Sequence, residues 1–329
     1  MPPAACVAQA EAAEAAGLSG IWFAENAYAR GIVPAASACA AATSRLQINA
    51  GVFNPFTRHP TMMAMEIGAL DELSKGRASL SVGTGIISAL QKIDAAPEKP
   101  LAALRDTIVI VRALLDGNEI DYEGSVFSAR KVKLEYLPRA DIAVFMAGRG
   151  SQMVKLAGEI ADGLVVSNMC SAAFAGRLAA SLQAARRTAC RASSAQVIQY
   201  MPCALDADRA AAIAAAKRAI GGMLPGFWNL GQKLKSAKDG LLTGTGIAES
   251  EFVLASARLS TGEDAAAVLD ERYTGAFAIA GTPEDCLATA ARYADAGISE
   301  LALTFAGPNA VADIKTLGAA AGAYPGPHR

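Results

Sequence analysis

The sequence predicts an α/β fold built as a (β/α)8 barrel that lacks its first strand. Short apolar segments suited to buried strands alternate with helix patterns along most of the chain. This alternation indicates a parallel sheet with right-handed crossovers. The count is one strand short of a closed barrel, and the chain begins with a helix pattern, so the absent strand should be the first. The predicted strands lie near residues 21–25, 46–52, 78–82, 142–146, 164–167, 196–205 and 299–305.

The central element of this pattern is the segment 46–77. An apolar run ends near Val52, and Asn-Pro and His-Pro pairs then interrupt it. Pro60 suits the first turn of a helix, and Gly76 lies where a left-handed residue would end that helix. The segment therefore predicts a strand, a loop, a helix and the start of the next strand.

The two ends of this unit have different expected roles. In a parallel α/β sheet, ligands bind at the carboxyl ends of the strands, whereas the turns that enter the strands mostly stabilise the scaffold. We therefore expect residues 51–59 and 83–85 to contribute to a site. The turn at 70–77 should be structural.

The rest of the chain continues the pattern with two excursions. Residues 120–137 alternate around Gly124 and predict a hairpin. Residues 221–275 consist of glycine-punctuated helical pieces, interpreted as a helical insertion over the site. The remaining predicted helices are 4–16, 34–43, 100–115, 151–160, 172–189, 208–220, 283–296 and 309–322.

Charge and hydropathy exclude several classes of function. The 329 residues include 30 Lys and Arg against 31 Asp and Glu, and no basic run is present, so no nucleic-acid affinity is predicted. No apolar run reaches the ~18 residues of a membrane helix. Glu11 and Glu14 interrupt the first apolar stretch, which argues against a secretory signal. A cytoplasmic protein is expected.

Cysteine and histidine usage argues against metal and hydrolytic chemistry. The six cysteines form no C-x-x-C pair and occur in apolar surroundings, so buried thiols are expected rather than disulfides or a zinc site. His59 and His328 are the two histidines. A Ser-His-Asp triad or a Cys-His pair could therefore form only around His59. No metal site is predicted.

Several motifs, in order along nearly the whole chain, resemble the bacterial luciferase-like superfamily of flavin- and deazaflavin-dependent oxidoreductases. The segments at 51–55 and 146–163 are most similar to the branch that contains methylenetetrahydromethanopterin reductase, which uses the deazaflavin coenzyme F420. The motifs are Trp22-Phe23-Ala24-Glu25, Ala41-Ala42-Thr43-Ser44-Arg45-Leu46, Asn54-Pro55 with Arg58-His59-Pro60, 70–77, Gly83-Thr84-Gly85 and 156–163.

The resemblance implies one TIM-type barrel domain over residues 1–329, with the cofactor at the carboxyl ends of the strands. It implies coenzyme F420, with FMN as the alternative, and a small substrate that is pterin-like. It also implies a homodimer, since relatives are commonly homodimers. Family members have a strand before the first helix, and this sequence has none. Either the sequence begins late or the barrel is open at one seam, and in both cases site residues from the first strand are missing.

The end of the second predicted strand is the first candidate cofactor segment. The resemblance implies a non-prolyl cis peptide between Gly51 and Val52, in a bulge that supports the deazaflavin ring, with Phe53 and Asn54 beside it. Glycine at the first of these positions removes one steric obstacle. The alternative is an ordinary trans strand end.

The loop Gly148-Arg149-Gly150-Ser151 follows a strand and opens a helix. Free amide groups and the helix dipole at such a position favour an anion, so this loop should hold the cofactor phosphate, and Arg149 adds a charged donor. A dinucleotide fingerprint is the competing hypothesis, but its third glycine is missing. A tight turn without a ligand is the remaining alternative.

The Gly83-Thr84-Gly85 segment predicts a wall without large side chains against which a flat ring can lie. The Thr84 hydroxyl is a candidate hydrogen-bond partner of that ring. A simple chain turn is the alternative hypothesis.

Glu25 and Asn26 are the candidate catalytic residues. Many relatives have a histidine where this chain has Asn26, and asparagine hydrogen-bonds but does not shuttle protons. The resemblance therefore favours hydride transfer to an electrophilic carbon, with Glu25 as the proton donor if burial raises its pKa. A carboxylate paired with a nearby arginine is the alternative.

Three further residues have weaker predicted roles. His59 is expected to form structural hydrogen bonds, and Phe227 and Trp228 to line the substrate cavity or to pack onto the barrel. Two other functions stay open: an FMN-dependent monooxygenase, and a non-catalytic barrel that binds a cofactor.

Overall fold

The strands occur where the sequence predicts them. The computed structural model describes residues 1–323, so His328 lies outside the described residues. All seven predicted strands are present, and the predicted hairpin forms from two antiparallel strands at Ile120–Glu123 and Ser128–Val132. The strands are β1 (Gly20–Trp22), β2 (Gln47–Phe53), β3 (Ala78–Val82), β4 (Ile120–Glu123), β5 (Ser128–Val132), β6 (Ala143–Ala147), β7 (Gly163–Val166), β8 (Gln196–Leu205), β9 (Ile279–Gly281) and β10 (Glu300–Phe305).

The helices follow the predicted alternation, with additions. A four-residue helix, α4, and a 3₁₀ turn at Gln91–Ile93 follow β3, and neither was predicted. The helices are α1 (Pro3–Ala15), α2 (Ile32–Ala42), α3 (Pro60–Ser74), α4 (Ile87–Leu90), α5 (Pro100–Leu115), α6 (Ser151–Ile160), α7 (Ala172–Thr188), α8 (Arg209–Lys233), α9 (Lys235–Leu242), α10 (Glu249–Ser260), α11 (Ala265–Val268), α12 (Glu271–Phe277), α13 (Pro283–Asp295) and α14 (Ala310–Ala323).

Two predicted boundaries are wrong. β1 ends at Trp22, so Glu25 and Asn26 lie in the following loop and not at the strand end itself. α8 continues through Gly221, Gly222 and Pro225, where the sequence predicted that it would break. Its buried residues recur along one face and pack against α10, α11 and α12, so tertiary packing outweighs the low helix propensity of glycine and proline.

The chain divides into two compact units. The first contains Met1–Gly148, Lys155–Leu164 and Ala185–Ala195, and its parallel strands pair in the order β1, β2, β3, β6. In the second unit, β8 pairs in parallel with both β10 and β9. The predicted single-domain organisation stays a prediction.

The sheet of the first unit is strongly curved. In a flat sheet, the backbones of β1 and β6 would lie about 14 Å apart, at about 4.8 Å per strand. The Trp22 and Phe145 rings, one from each of these strands, nevertheless pack edge to face with their centroids 5.4 Å apart. These two side chains therefore meet on the concave face of this sheet.

Most thiols are buried, as predicted, although Cys190 is exposed. All six cysteines are free. Within residues 1–323, no helix has the length and apolarity needed to span a membrane.

Candidate functional site

The carboxyl ends of β2, β3 and β6 meet in the first unit. A Cβ atom placed on Gly83 would lie 2.7 Å from Val52 Cγ1 and 3.3 Å from the Ala147 Cβ atom. The Gly83 amide also donates to the Phe53 carbonyl at 2.9 Å, which extends the β2–β3 pairing one residue past β3. Val52, Gly83 and Ala147 therefore form a closely packed wall in which Gly83 itself is buried. The predicted role of Gly83 in cofactor binding stays a prediction.

The predicted non-prolyl cis peptide between Gly51 and Val52 is present. The β2–β3 register shifts between Ala50 and Phe53, so a bulge also lies where it was expected. Gly51 has a φ of 155°, and a Cβ atom there would lie 2.5 Å from the Ser81 carbonyl oxygen. Only glycine fits this position without a displacement of the β3 backbone.

The other predicted cofactor residues of this unit differ in exposure. Phe53 is 1% exposed, so its ring belongs to the core. Asn54 Oδ1 accepts hydrogen bonds from the amides of Phe56 and Thr57, and thereby closes the turn after β2. Gly83 is buried, Thr84 is half-buried and Gly85 is exposed, so the surface available to a ligand lies at Val52, Thr84 and Gly85.

Glu25 is held by an arginine that follows β2. Arg58 Nη1 lies 3.3 Å from Glu25 Oε1, and both side chains are about one-fifth exposed. Glu25 Oε2 is buried and accepts no hydrogen bond from the protein. The structure thus shows the arginine pairing that sequence left as the alternative for Glu25. Asn26 is exposed, and its carbonyl accepts a turn hydrogen bond from Ala29.

The loop before α6 places Arg149 within the second unit. Arg149 Nη2 donates to Ser167 Oγ and to the Asn168 carbonyl, and the guanidinium lies 5.1 Å from the centre of the Phe227 ring. Arg149 Nη1 is buried without a hydrogen-bond partner. An unpartnered buried guanidinium N–H has the chemistry to bind an anion.

Arg149 is flanked in the sequence by Gly148 on one side and by Gly150 and Ser151 on the other. α6 begins at Ser151, as predicted, and Ser151 is exposed. A Cβ atom on Gly150 would lie 4.0 Å from Ser236 Oγ on α9, so Gly150 leaves space at the start of α6.

The two aromatic residues predicted to line the substrate cavity have different surroundings. Phe227 packs under Arg149. Trp228 is 7% exposed and stacks on Phe252, with ring centroids 5.7 Å apart, in the core formed by α8, α10 and α12. We therefore assign Trp228 to the core of the insertion, because it has almost no surface left for a substrate.

His59 caps α3, in agreement with its predicted structural role. Its Nδ1 atom accepts from the Thr61 amide and lies 2.8 Å from the Thr61 hydroxyl. Burial lowers the pKa of His59, while the Ser128 backbone opposes that shift. The Phe127 ring, from the hairpin, packs edge to face against His59.

Sequence reasoning missed how the hairpin and the post-β1 loop contact the site. Phe127 also packs against Phe56 in the loop after β2, and no local signal in the sequence connects these distant residues. Tyr28 has a φ of 61°, and its hydroxyl donates to the Ala89 carbonyl at 2.7 Å. Tyr28 thereby joins the loops that follow β1 and β3.

Among the described residues, no group of three or more His, Cys, Asp or Glu side chains is arranged to hold a metal ion.

Comparison with known proteins places the chain in a class. The 5,10-methylenetetrahydromethanopterin reductase of Methanolobus tindarius is 26% identical over 313 residues, which cover 94% of this chain and 93% of that protein. The solved structure of the coenzyme F420-dependent tetrahydromethanopterin reductase from Methanopyrus kandleri superposes with a TM-score of 0.83 at 24% identity, covering 97% of this chain and 94% of that one. The monooxygenase RslO1 from Streptomyces bottropensis gives a TM-score of 0.71 at 18% identity, over 95% and 90% of the two chains.

The fold is therefore the luciferase-like α/β fold of the TIM type, and the predicted fold class is confirmed. A sequence profile of the family described as luciferase-like monooxygenase matches residues 1–300. The chain belongs to this family, which confirms the resemblance drawn from its motifs.

Proposed function

We propose that this protein is an oxidoreductase that transfers a hydride between reduced coenzyme F420 and a small, pterin-like substrate. The observation that carries the proposal is the wall of Val52, Gly83 and Ala147 at the carboxyl ends of three parallel strands. The similarity along 94% of the chain to a methylenetetrahydromethanopterin reductase supports the cofactor and the substrate class.

The residues present fit the proposed cofactor. A flat ring would pack against the half-buried Val52 side chain, which lies over the buried Gly83. In the second unit, taken by itself, the unpartnered Arg149 Nη1 atom and the amide groups at the start of α6 suit an anion such as a phosphate. When bound, coenzyme F420 supplies the hydride, and the protein supplies binding, orientation and proton placement.

Two residues near the loop after β1 complete the proposed chemistry. Asn26 hydrogen-bonds a substrate without moving a proton. Glu25, ion-paired with Arg58, contributes a carboxylate that accepts a hydrogen bond from a substrate N–H or O–H group. A Glu25→Gln variant should therefore bind the substrate more weakly while it keeps its affinity for the cofactor.

The test of the proposed function is an equilibrium titration of the apoprotein with F420 and, separately, with FMN, followed by absorbance. We expect saturable binding of F420 and weaker or no binding of FMN. Oxidation of reduced F420 should then require 5,10-methylenetetrahydromethanopterin as acceptor. Tight FMN binding with no F420 binding would contradict the proposal.

An FMN-dependent monooxygenase is the second candidate, because the fold is shared with a solved monooxygenase. This candidate predicts that FMN binds and that oxygen is consumed when the flavin is reduced. A non-catalytic barrel, in contrast, would bind a cofactor and turn over with neither acceptor. The predicted homodimer is checked by light scattering on the purified protein.

A further inference from the structure

Four apolar side chains on two loops of the first unit are exposed to solvent. Tyr28, in the loop after β1, is 66% exposed, and Ile86, Ile87 and Ile93, in the segment after β3, are 53%, 49% and 49% exposed. Single exposed apolar residues are common, whereas a contiguous group of them marks a contact surface. We call these four residues the apolar rim.

A hydrogen bond joins the two loops that form the apolar rim. The Tyr28 hydroxyl donates to the Ala89 carbonyl on α4 at 2.7 Å, and Lys92 Nζ lies 6.0 Å from the centre of the Tyr28 ring. Leu90, at the end of α4, is 3% exposed and anchors this segment in the core. Tyr28 therefore lies against α4 and the 3₁₀ turn, so the rim is formed before a ligand binds.

The backbone conformation of Tyr28 is a further sign of function. Its φ of 61° lies in the left-handed region, which costs free energy for a residue that has a side chain. This cost is not offset by burial of the ring, since Tyr28 stays largely exposed. Backbone strain of this kind is concentrated at ligand-binding and active sites.

The apolar rim continues the surface that is open to a ligand in the candidate site. Ile86 directly follows Thr84 and Gly85, and a Cβ atom on Gly85 would lie 3.1 Å from the Asn54 Cβ atom, in the turn after β2. β2 pairs with β1 on one side and with β3 on the other, so the loops after β1 and β3 flank its carboxyl end. A ligand that lies on Val52 and Thr84 therefore has the rim beside it, within the first unit.

The chemistry of the rim favours one kind of chemical group. The isoleucine side chains have no hydrogen-bonding atoms, and the Tyr28 proton is already donated to Ala89. The hydroxyl groups of a sugar would lose water against this surface and gain no donor from these side chains. An aromatic ring loses no hydrogen bond there and gains contact with aliphatic carbon atoms and with the Tyr28 ring.

The size of the rim favours a small molecule over a second copy of the chain. Each partner of a standard protein interface buries ~800 Å². Four side chains that are each about half exposed supply only a fraction of that area.

We propose that the apolar rim binds an aromatic ring of the substrate, and that Ile86 and Ile87 are thereby specificity-determining residues. The inference rests on the proposed function and deepens it, because it assigns the side chains that select the substrate. The rim makes the same contact before and during hydride transfer, so it lowers KM and leaves kcat unchanged.

The test compares the wild type with Ile86→Ser, Ile87→Ser and the double variant. The matched control is Leu73→Ser, which replaces an aliphatic side chain of similar exposure, 47%, on α3 of the same unit. The readouts are KM and kcat with 5,10-methylenetetrahydromethanopterin, the Kd for F420, and Tm.

Each single rim variant should raise KM about fivefold to tenfold, since about half of an isoleucine side chain loses its cover in the complex. The value of kcat and the Kd for F420 should stay within about threefold, because the rim touches neither the reacting atoms nor the cofactor. The control should keep the wild-type KM. A double variant with the wild-type KM, or a loss confined to kcat, would overturn the inference.

A failure of the proposed function gives a different result. A wild-type protein that does not oxidise reduced F420 with this acceptor contradicts the function, and the rim is then tested with the aromatic dye 8-anilinonaphthalene-1-sulfonate. The dye should bind the wild type and Leu73→Ser equally, and the double variant about tenfold more weakly. Equal dye binding by all three proteins would overturn the inference.

Light scattering on the same proteins tests the competing occupant. The double variant should have the same molar mass as the wild type. A dimer that dissociates in the double variant would assign the rim to a contact between two copies and would overturn the inference.

Discussion

Two arginines of the first unit, at opposite ends of its strands, have contrasting surroundings. Arg77 precedes β3, is 7% exposed and donates five side-chain hydrogen bonds, to the Ala40, Thr43, Leu46 and Ser74 carbonyls and the Thr43 hydroxyl. Arg58 follows β2 and forms ion pairs with two carboxylates, those of Glu25 and Glu66. The Oε2 atoms of both carboxylates accept no hydrogen bond.

This difference distinguishes scaffold from site. A network in which every donor has an acceptor stabilises the fold and has no capacity for a ligand. A cluster with an unpartnered buried oxygen, in contrast, retains an acceptor that the protein does not use. The same contrast applies in the second unit, where Arg149 keeps one guanidinium nitrogen unpartnered.

The largest expected effect is that of Arg77→Ala. The change leaves several buried carbonyl groups without a donor, so the free energy of unfolding should fall by about 3 kcal/mol or more in a urea titration. The control Arg105→Ala removes a half-exposed ion pair and should cost about 0.5 kcal/mol. A loss below about 1 kcal/mol for Arg77→Ala would contradict the structural role of this network.

Arg149→Gln should weaken F420 binding by about tenfold, which corresponds to one lost charge-assisted contact with the phosphate. A matched control is Arg177→Gln, because Arg177 also bonds a hydroxyl, that of Thr243, and also stacks on an aromatic ring, that of Phe174. The affinity for the phosphate-free deazaflavin riboside should not change. If both ligands lost the same affinity, Arg149 would not be a contact of the phosphate.

Tyr28→Phe should have a smaller effect, since it deletes one exposed hydrogen bond, to Ala89. The free energy of unfolding should fall by about 0.5–1 kcal/mol. Amide exchange should accelerate in the α4 segment, 86–93, because this segment loses its connection to the loop after β1. Unchanged exchange there would show that Tyr28 does not join the two loops in solution.

The smallest effect is expected for Glu14→Gln, at the exposed turn that leads into β2. The backbone N–H groups of Arg45, Ser44 and Leu46 hydrogen-bond the carboxylate and lower the pKa of Glu14 from 4.5 to about 2. The carboxylate is ionised more readily in the folded state, so its contribution is present above pH 4.5 and is lost as the pH falls toward 2. The variant should show a flatter dependence of stability on pH over this interval, and an unchanged slope would contradict the assignment.

The sequence predicted the parts of the fold that local patterns determine. Apolar runs and their flanking Pro and Gly residues placed the seven strands, and the resemblance implied the cis peptide at Gly51. β9 was missed because three residues carry no periodicity. The continuation of α8 past Pro225 was missed because it depends on packing against other helices.

Partners in the candidate site were the least predictable part. The pairing of Arg58 with Glu25 joins residues 33 positions apart, and Arg149 contacts a helix predicted only as part of a loose insertion. Such contacts follow from the folded chain and not from any local pattern. Residue types at strand ends therefore indicate a candidate site, but not which polar atoms in it lack a partner.

The most direct test of the site is hydrogen–deuterium exchange with and without F420. We expect protection by F420 at the strand carboxyl ends of the first unit, in 51–54, 83–86 and 147–148. No change is expected in the turns at 40–46 and 74–78, where Arg77 and Glu14 already satisfy the backbone. Protection confined to those turns, or none at the strand ends when F420 is bound, would contradict the account.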